Sequence, residues 1–464
     1  MSGSVLARAR WYTMLDTPTI VGGGASALAA ITCTIGGDAR WLLATEDRQG
    51  GKLPFSAYAD PQWPPVLRLP EHLLILLYDG LGERGLQLAQ VMSVGTCFAF
   101  LALGLRRAHT SSRWTALAPG LVLLGATTTF FIARLQLFSL PLFAALLLLL
   151  RSEARQPSRR IWLLIPLLAL WSNLHGAALV GAAVSFAYLL LHRVRRQPAQ
   201  SAVLALASLG ALCLTPALAN TPKYYVGVLN NELAREHVGL WARLDPTGSL
   251  FDFLLLACGV VLLAVALRAR PTLWESVVLI ALAAMTIEAS RSGVWLLLFA
   301  IGAGAPHDLI ASRTRHVPRW LLVGAVLAVA AVIAAAIQRG PLSTGADRDL
   351  VAQAVQASEG SAVVAEGVLG EQVALAGGCL WVSNPLDAFP SNVQRNYVRW
   401  SETGQVSLLP RQTRVVIVRR YGSPANGMAH DSDFRLIAQR RDVALYLRDV
   451  PVGLVCRGWS ARHP

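Results

Sequence analysis

The chain has 464 residues, 54% hydrophobic and 15% charged, with a mean hydropathy of +0.48 and a formal net charge of +14. Runs such as LPLFAALLLLL exclude an ordinary water-soluble domain, and the arginines cluster between the apolar runs, where they report membrane topology and not nucleic-acid binding. Lys52 and Lys223 are the only lysines, and the six cysteines form no Cys-x-x-Cys or Cys/His cluster, which argues against structural zinc or an iron–sulfur centre.

A bilayer crossing needs roughly 20 apolar residues. In chain order, candidate segments fall at 17–36, 84–105, 114–133, 136–150, 161–174, 176–192, 201–219, 249–267, 272–289, 293–311 and 320–337. They predict a polytopic α-helical membrane protein of about eleven transmembrane helices. The first segment contains GGGAS and is followed by many more, so it does not read as a signal peptide. The clusters LARAR, RRAHTSSR, RSEARQPSRR, HRVRR, RAR and SRTRHVPR occupy alternate connections. Under the positive-inside rule this puts the amino terminus in the cytoplasm and the remaining connections outside.

Two external regions stand out. The first loop, 37–83, begins with Asp38, continues through the Pro-rich GGKLPFSAYADPQWPPVLRLP and ends in EHLLILLYDGLG, whose apolar residues recur at helical spacing. That last stretch predicts a helix lying in the membrane interface. From about 341 to 464 the pattern becomes that of a small extracytoplasmic α/β domain, set apart from the membrane domain at 1–340. An amphipathic helix in STGADRDLVAQAVQAS precedes strands in SAVVAEG, CLWVSN, TRVVIVRRY, FRLIAQR and VALYLRD. The last two strands form a hairpin across RRD, and LGEQVALAGG and SNVQRNYVRW read as helices. Cys379 and Cys456 are the cysteines of this domain; an oxidising compartment would let them pair, and two free buried thiols are the alternative.

Charged residues at membrane depth are costly and therefore mark candidate sites. Asp38, with Arg40 and Trp41 beside it, stands at the rim of the first span. Arg134 in FIARLQLFS and Arg291 in EASRSGVW stand at span ends on the same predicted side, and WSNLHG places Asn173 and His175 in a tight turn between spans. Guanidinium groups present planar forks of donors that suit phosphate oxygens. One carboxylate, two arginines and a few polar groups could line a cavity for a lipid-linked phosphate. Each also has a structural reading: Asp38 as a helix cap, the arginines reaching to lipid head groups, and Asn173 with His175 holding the turn.

These segments resemble the GT-C superfamily of membrane glycosyltransferases, in particular a bacterial branch similar to the polyprenyl-phosphate-sugar mannosyltransferases. That branch carries Asp-x-Asp-x-Trp-Trp-His, a Pro and Phe-Ser stretch and a Glu-Trp-Leu interfacial helix, matched here by GDARWLL, LPFSAY and PEHLLILLYDGLGERGLQL. It also carries Arg-Pro-Gln-Leu-Phe-Ser and Trp-Ala-Asn-Leu-His-Gly, matched in the expected order by ARLQLFS and WSNLHG. Gly36, Leu42 and Leu240 depart from the pattern, standing where the branch has the first Asp, the His and a later Glu. Only Asp38 remains of the acid pair that would hold Mg or Mn, so no metal site is assigned.

The resemblance implies a GT-C-like fold and inverting transfer of a sugar from a polyprenyl-phosphate donor to a glycan, lipid or protein acceptor on the external face. Asp38 is the implied base, with Glu71 in reserve beside Glu46 and Asp60, and Arg134 and Arg291 would hold the donor phosphate. Arg40, Trp41, Asn173 and His175 would line the cavity. The alternative is a non-catalytic membrane protein, either a lipid-carrier transporter or a subunit of cell-envelope assembly. A lipid-linked polymer ligase fits less well, because the loop at 220–248 holds only Arg235 and Arg243.

Overall fold

A computed structural model describes residues 2–36, 53, 55–56, 58, 66, 68–230, 232–237, 241–303, 329–330, 332–334, 336, 338, 342, 348–451, 453 and 455–456. Asp38, Arg40, Trp41, Glu46, Asp60 and Leu240 lie outside them. The chain divides into two compact units. One comprises Met1–Thr34, Leu81–Leu218 and Leu240–Leu342; the other comprises Ile35–Gly80, Ala219–Gly239 and Ser343–Pro464. The C-terminal region expected to start at 341 thus shares its unit with the first loop and with Ala219–Gly239.

The first unit is built of helices, as apolar sequence in lipid requires, because a helix satisfies its own backbone hydrogen bonds. Glu83–Arg107, Leu135–Arg155, Ala178–Arg195 and Leu250–Arg268 are long and apolar enough to cross a membrane, and Trp114–Gly125, Pro198–Leu212 and Ser290–Ala303 are shorter apolar helices. The unit is a multi-pass membrane domain. Helices also form over Ser2–Thr32, Leu164–Leu174 and Leu273–Glu288, and the described part of 320–337 is helical. Polar side chains cross-link these helices: Gln87 Nε2 donates to Ala30 O (2.9 Å) and Gln90 Nε2 to Phe130 O (2.7 Å). Leu273–Glu288 begins with a capping box, Thr272 N and Oγ1 both donating to Glu275 Oε2 at 3.1 and 2.7 Å.

In the second unit, the predicted interfacial helix forms over Arg68–Leu81. Leu69, Leu73 and Leu76 are exposed and fall at i, i+4 and i+7, while Pro70, Glu71 and Leu74 are buried, so one face is greasy and unpartnered. The C-terminal part is a four-stranded sheet in the order Val364–Ala365, Val415–Arg419, Val443–Arg448, Phe434–Arg440, with the first pair parallel and the others antiparallel. Val415 to Val418 are all buried, whereas the edge strand Phe434–Arg440 is mostly exposed. The hairpin turns at Arg441 and Asp442. Helices Arg348–Ser358, Leu369–Leu375 and Ser391–Thr403 form where the sequence predicts them.

CLWVSN differs from the expectation: it makes only isolated bridges at Leu380, to Val363 and to Ser56 of the first-loop segment. Leu380 N donates to Phe55 O (2.7 Å) and Trp381 N to Val363 O (3.0 Å), so the segment is shared between two distant partners. Cys379 and Cys456 form a disulfide that ties this segment to the C-terminal end of the described chain.

Candidate active site

The two segments ARLQLFS and WSNLHG pack into one element of the membrane unit. Trp171 is fully buried, and its Nε1 donates to Ser139 Oγ at 2.8 Å. Its ring packs edge-on to Phe143 (6.1 Å between centroids) and tilted to Trp295 (6.3 Å). Gly181 is required here, because a Cβ would overlap the Trp171 ring. This packing fixes the C-terminal end of Leu164–Leu174 and the turn that follows it.

Within that turn, Asn173 Nδ2 donates to Ala169 O (2.7 Å) and Leu214 O (2.6 Å), so both of its amide hydrogens hold backbone. His175 Nδ1 accepts from Ala177 N at 3.1 Å, which leaves the proton of the neutral ring on Nε2. Burial, reinforced by the Arg291 charge, lowers the His175 pKa to about 3. At neutral pH it is an uncharged donor.

Arg291 lies in the short turn Ser290–Ser292, with its guanidinium 4.3 Å from the centre of the Trp241 ring. That tryptophan comes from a strap laid along the end of Leu273–Glu288. Ser290 N donates to Ala242 O (3.0 Å), Leu244 N to Ile287 O (3.1 Å), and Arg243 pairs with Glu288 at 3.3 Å. An Asp245 turn then leads into Leu250–Arg268, with Asp245 Oδ1 accepting from Thr247 and Gly248 and Ser249 capping the helix. Stacking engages the face of a guanidinium, whose N–H donors lie in its plane.

Arg134 has extended backbone and opens the short Leu135–Phe138 helical turn, which packs on both Ser139–Arg155 and Leu164–Leu174. Its guanidinium has no hydrogen-bond or ion-pair partner among the described residues. Thr34 Oγ1 donates to Phe131 O (3.4 Å), tying the chain just after the first helix to the end of Thr127–Phe131, three residues before Arg134.

The structure therefore brings His175, Arg291 and Trp241 together and ties Arg134 to the same motif pair. Glu71 lies in the second unit, buried at 5% exposure in the first turn of Arg68–Leu81. Trp241 was missed in the sequence. It directly follows Leu240, a position that stands out in the sequence only for the absent glutamate. What the cluster can do chemically is bind an oxyanion: a neutral imidazole N–H and a guanidinium fixed by stacking both stabilise negative charge.

No protein-family model and no curated protein matches the sequence. Among solved structures, the chain is similar to ArnT from Cupriavidus metallidurans bound to undecaprenyl phosphate, with 15% identity, 93% of this chain and 97% of that one covered, and a TM-score of 0.49. The same protein in the apo state gives 15% identity, 95% and 98% coverage and a TM-score of 0.49. Arabinofuranosyltransferase AftD from mycobacteria gives 14% identity and a TM-score of 0.48, over 92% of this chain but 41% of that one.

Proposed function

We propose that this protein is a GT-C-type glycosyltransferase that moves a sugar from a polyprenyl-phosphate carrier to a glycan, lipid or protein acceptor at the external face of a bacterial inner membrane. The observation that carries the reading is the Trp171–Ser139 hydrogen bond, which makes one packed element of two motif segments and holds His175 near Arg291. The Cys379–Cys456 disulfide fits an oxidising, external compartment for the C-terminal region.

The chemistry is a single displacement with inversion. The acceptor oxygen bonds to the anomeric carbon as the bond from that carbon to the phosphate oxygen breaks. Asp38 takes the acceptor proton, and the electron pair leaves with the phosphate. Arg134, Arg291 and the His175 Nε2–H stabilise the charge that grows there. Gly36 removes one acid of the pair that would hold Mg or Mn, so no step is routed through a metal.

The test is transfer by purified, reconstituted protein from radiolabelled polyprenyl-phosphate sugars onto membrane extract. Wild type is expected to transfer or hydrolyse one donor, and Asp38→Asn at equal expression to do neither. Activity retained in Asp38→Asn moves the base to another first-loop acid, Glu71 first, and inactivity with every donor removes the enzymatic reading.

A further inference from the structure

A cavity of about 330 Å³ opens in the membrane unit at the opposite end of its helices from His175 and Arg291. The helix Ser139–Arg155 begins at the Trp171 contact and ends at this cavity with Arg151 and Arg155. Leu273–Glu288 begins there with Glu275, and Gly293–Ala303 ends there with Gly302.

Its polar wall has three arginines, Arg151, Arg155 and Arg270, against one carboxylate, Glu275. That carboxylate is engaged: Oε2 accepts both hydrogen bonds of the Thr272 cap, and Oε1 stands 3.9 Å from Arg151 Nε, too far for a hydrogen bond. Arg151 is held in place by Nη2 donating to Phe299 O (2.6 Å) and by the Phe299 ring, 5.0 Å from its carbon. Gly302 leaves the room, since a Cβ there would strike Nη1. Arg151 Nε is buried and has no hydrogen-bond partner. Arg155 and Arg270 have no ion-pair partner among the described residues. His192 and Thr272 also line it, and most of the remaining wall is apolar, including Phe100, Leu101, Leu147, Leu148 and Ile301.

Arginines at helix ends often do no more than offset the helix dipole or reach to head groups. A guanidinium only 15% exposed, whose buried Nε–H makes no hydrogen bond and whose ion pair with Glu275 is loose, in a cavity rich in cations, has room for an anion as well. The forked donors suit phosphate, and the apolar wall suits the chain attached to it. We propose that this cavity binds the phosphate group of a ligand carrying an apolar chain, at a site separate from the transfer site. It does not depend on the transferase reading, because binding is measured with no sugar donor present.

The experiment is native mass spectrometry of the full-length protein in neutral detergent, with dioleoyl phosphatidic acid, diolein (the same lipid without phosphate) or inorganic phosphate as probe. Phosphatidic acid is expected to be retained, diolein not, and affinity to fall roughly tenfold in Arg151→Gln and in Arg270→Gln. Arg270 is exposed at the mouth, so its variant keeps the test valid if Arg151→Gln fails to fold. Inorganic phosphate bound as tightly and weakened by the same substitutions supports phosphate recognition but assigns a soluble source. Equal retention of diolein, retention that neither substitution lowers, or no adduct with either phosphate probe overturns the proposal.

Discussion

At one end of the Gly293–Ala303 helix, Arg291 stacks on Trp241 and its charge reaches a neutral His175. At the opposite end of the same bundle, Arg193 is buried at 3% exposure against Glu153 at 2%, with Nη1 and Oε2 3.1 Å apart. Nη2 of Arg193 also donates to Gln197 (2.8 Å) and Gln200 (2.9 Å), and Ser158 N donates to Glu153 (2.8 Å). In sequence these arginines look alike, as cations at span ends. What lies against each one separates them: a buried carboxylate consumes the charge of Arg193 for structure, whereas an aromatic ring positions the guanidinium of Arg291.

That contrast predicts different losses. Glu153→Gln leaves Arg193 buried and uncompensated, and should cost about 3–5 kcal/mol of stability. The expected readout is a lower thermal midpoint in detergent, with transfer per folded molecule preserved. A normal midpoint with lost transfer would erase the distinction between the two ends. Arg291→Ala should do the reverse, lowering turnover by about 10²–10³, or roughly 3–4 kcal/mol of transition-state stabilisation, with little change in midpoint. If Arg291→Ala instead melts early and transfers normally, Arg291 is a structural cation like Arg193.

The bond that holds the turn should show a smaller effect. Ser139→Ala leaves the buried Trp171 N–H without its acceptor, at a cost of about 1–3 kcal/mol. Trp171→Phe removes the donor as well as part of the ring. The double variant should be more stable than the sum of the two single losses, and thermal or denaturant unfolding of the four proteins measures that coupling. Additive losses would mean that the two motif segments are not linked through this bond.

Much of the fold could be read from local pattern. Most membrane helices are apolar runs with arginine at or near an end, the interfacial helix keeps its leucines at helical spacing, and Val415–Val418 is a continuous β-branched run. CLWVSN misleads because alternation alone does not supply a neighbouring strand, and its hydrogen bonds are divided between Phe55 and Val363. At the site, WSNLHG gave the turn, since a tryptophan, an asparagine and a histidine packed so closely in sequence each need a partner. Trp241 gave no such signal: its partner Arg291 is 50 positions away, and stacking has no sequence period. The cavity at Arg151 was hidden for a related reason, because RSEARQPSRR reads fully as a topology marker until the fold places Glu275 and Gly302 beside it.

The smallest expected effect is a pH dependence at the Arg291 end that the Arg193 end lacks. His175 is held to a pKa of about 3, by burial first and by Arg291 second, against about 6.5 in an unfolded chain. Above pH 6.5 the ring is neutral in both states and contributes no pH dependence. As pH falls below 6.5 the unfolded chain takes up a proton that the folded protein refuses, so stability is lost by at most about 1.4 kcal/mol per unit. His175→Asn offers an oxygen to the Ala177 N–H but cannot titrate. Between pH 7 and 5.5 the wild-type thermal midpoint should therefore fall further than that of the variant, since every other titrating group is common to both. Parallel curves would show that His175 is already open to water and protons in the folded state, and the neutral donor assigned to the leaving phosphate would go with it.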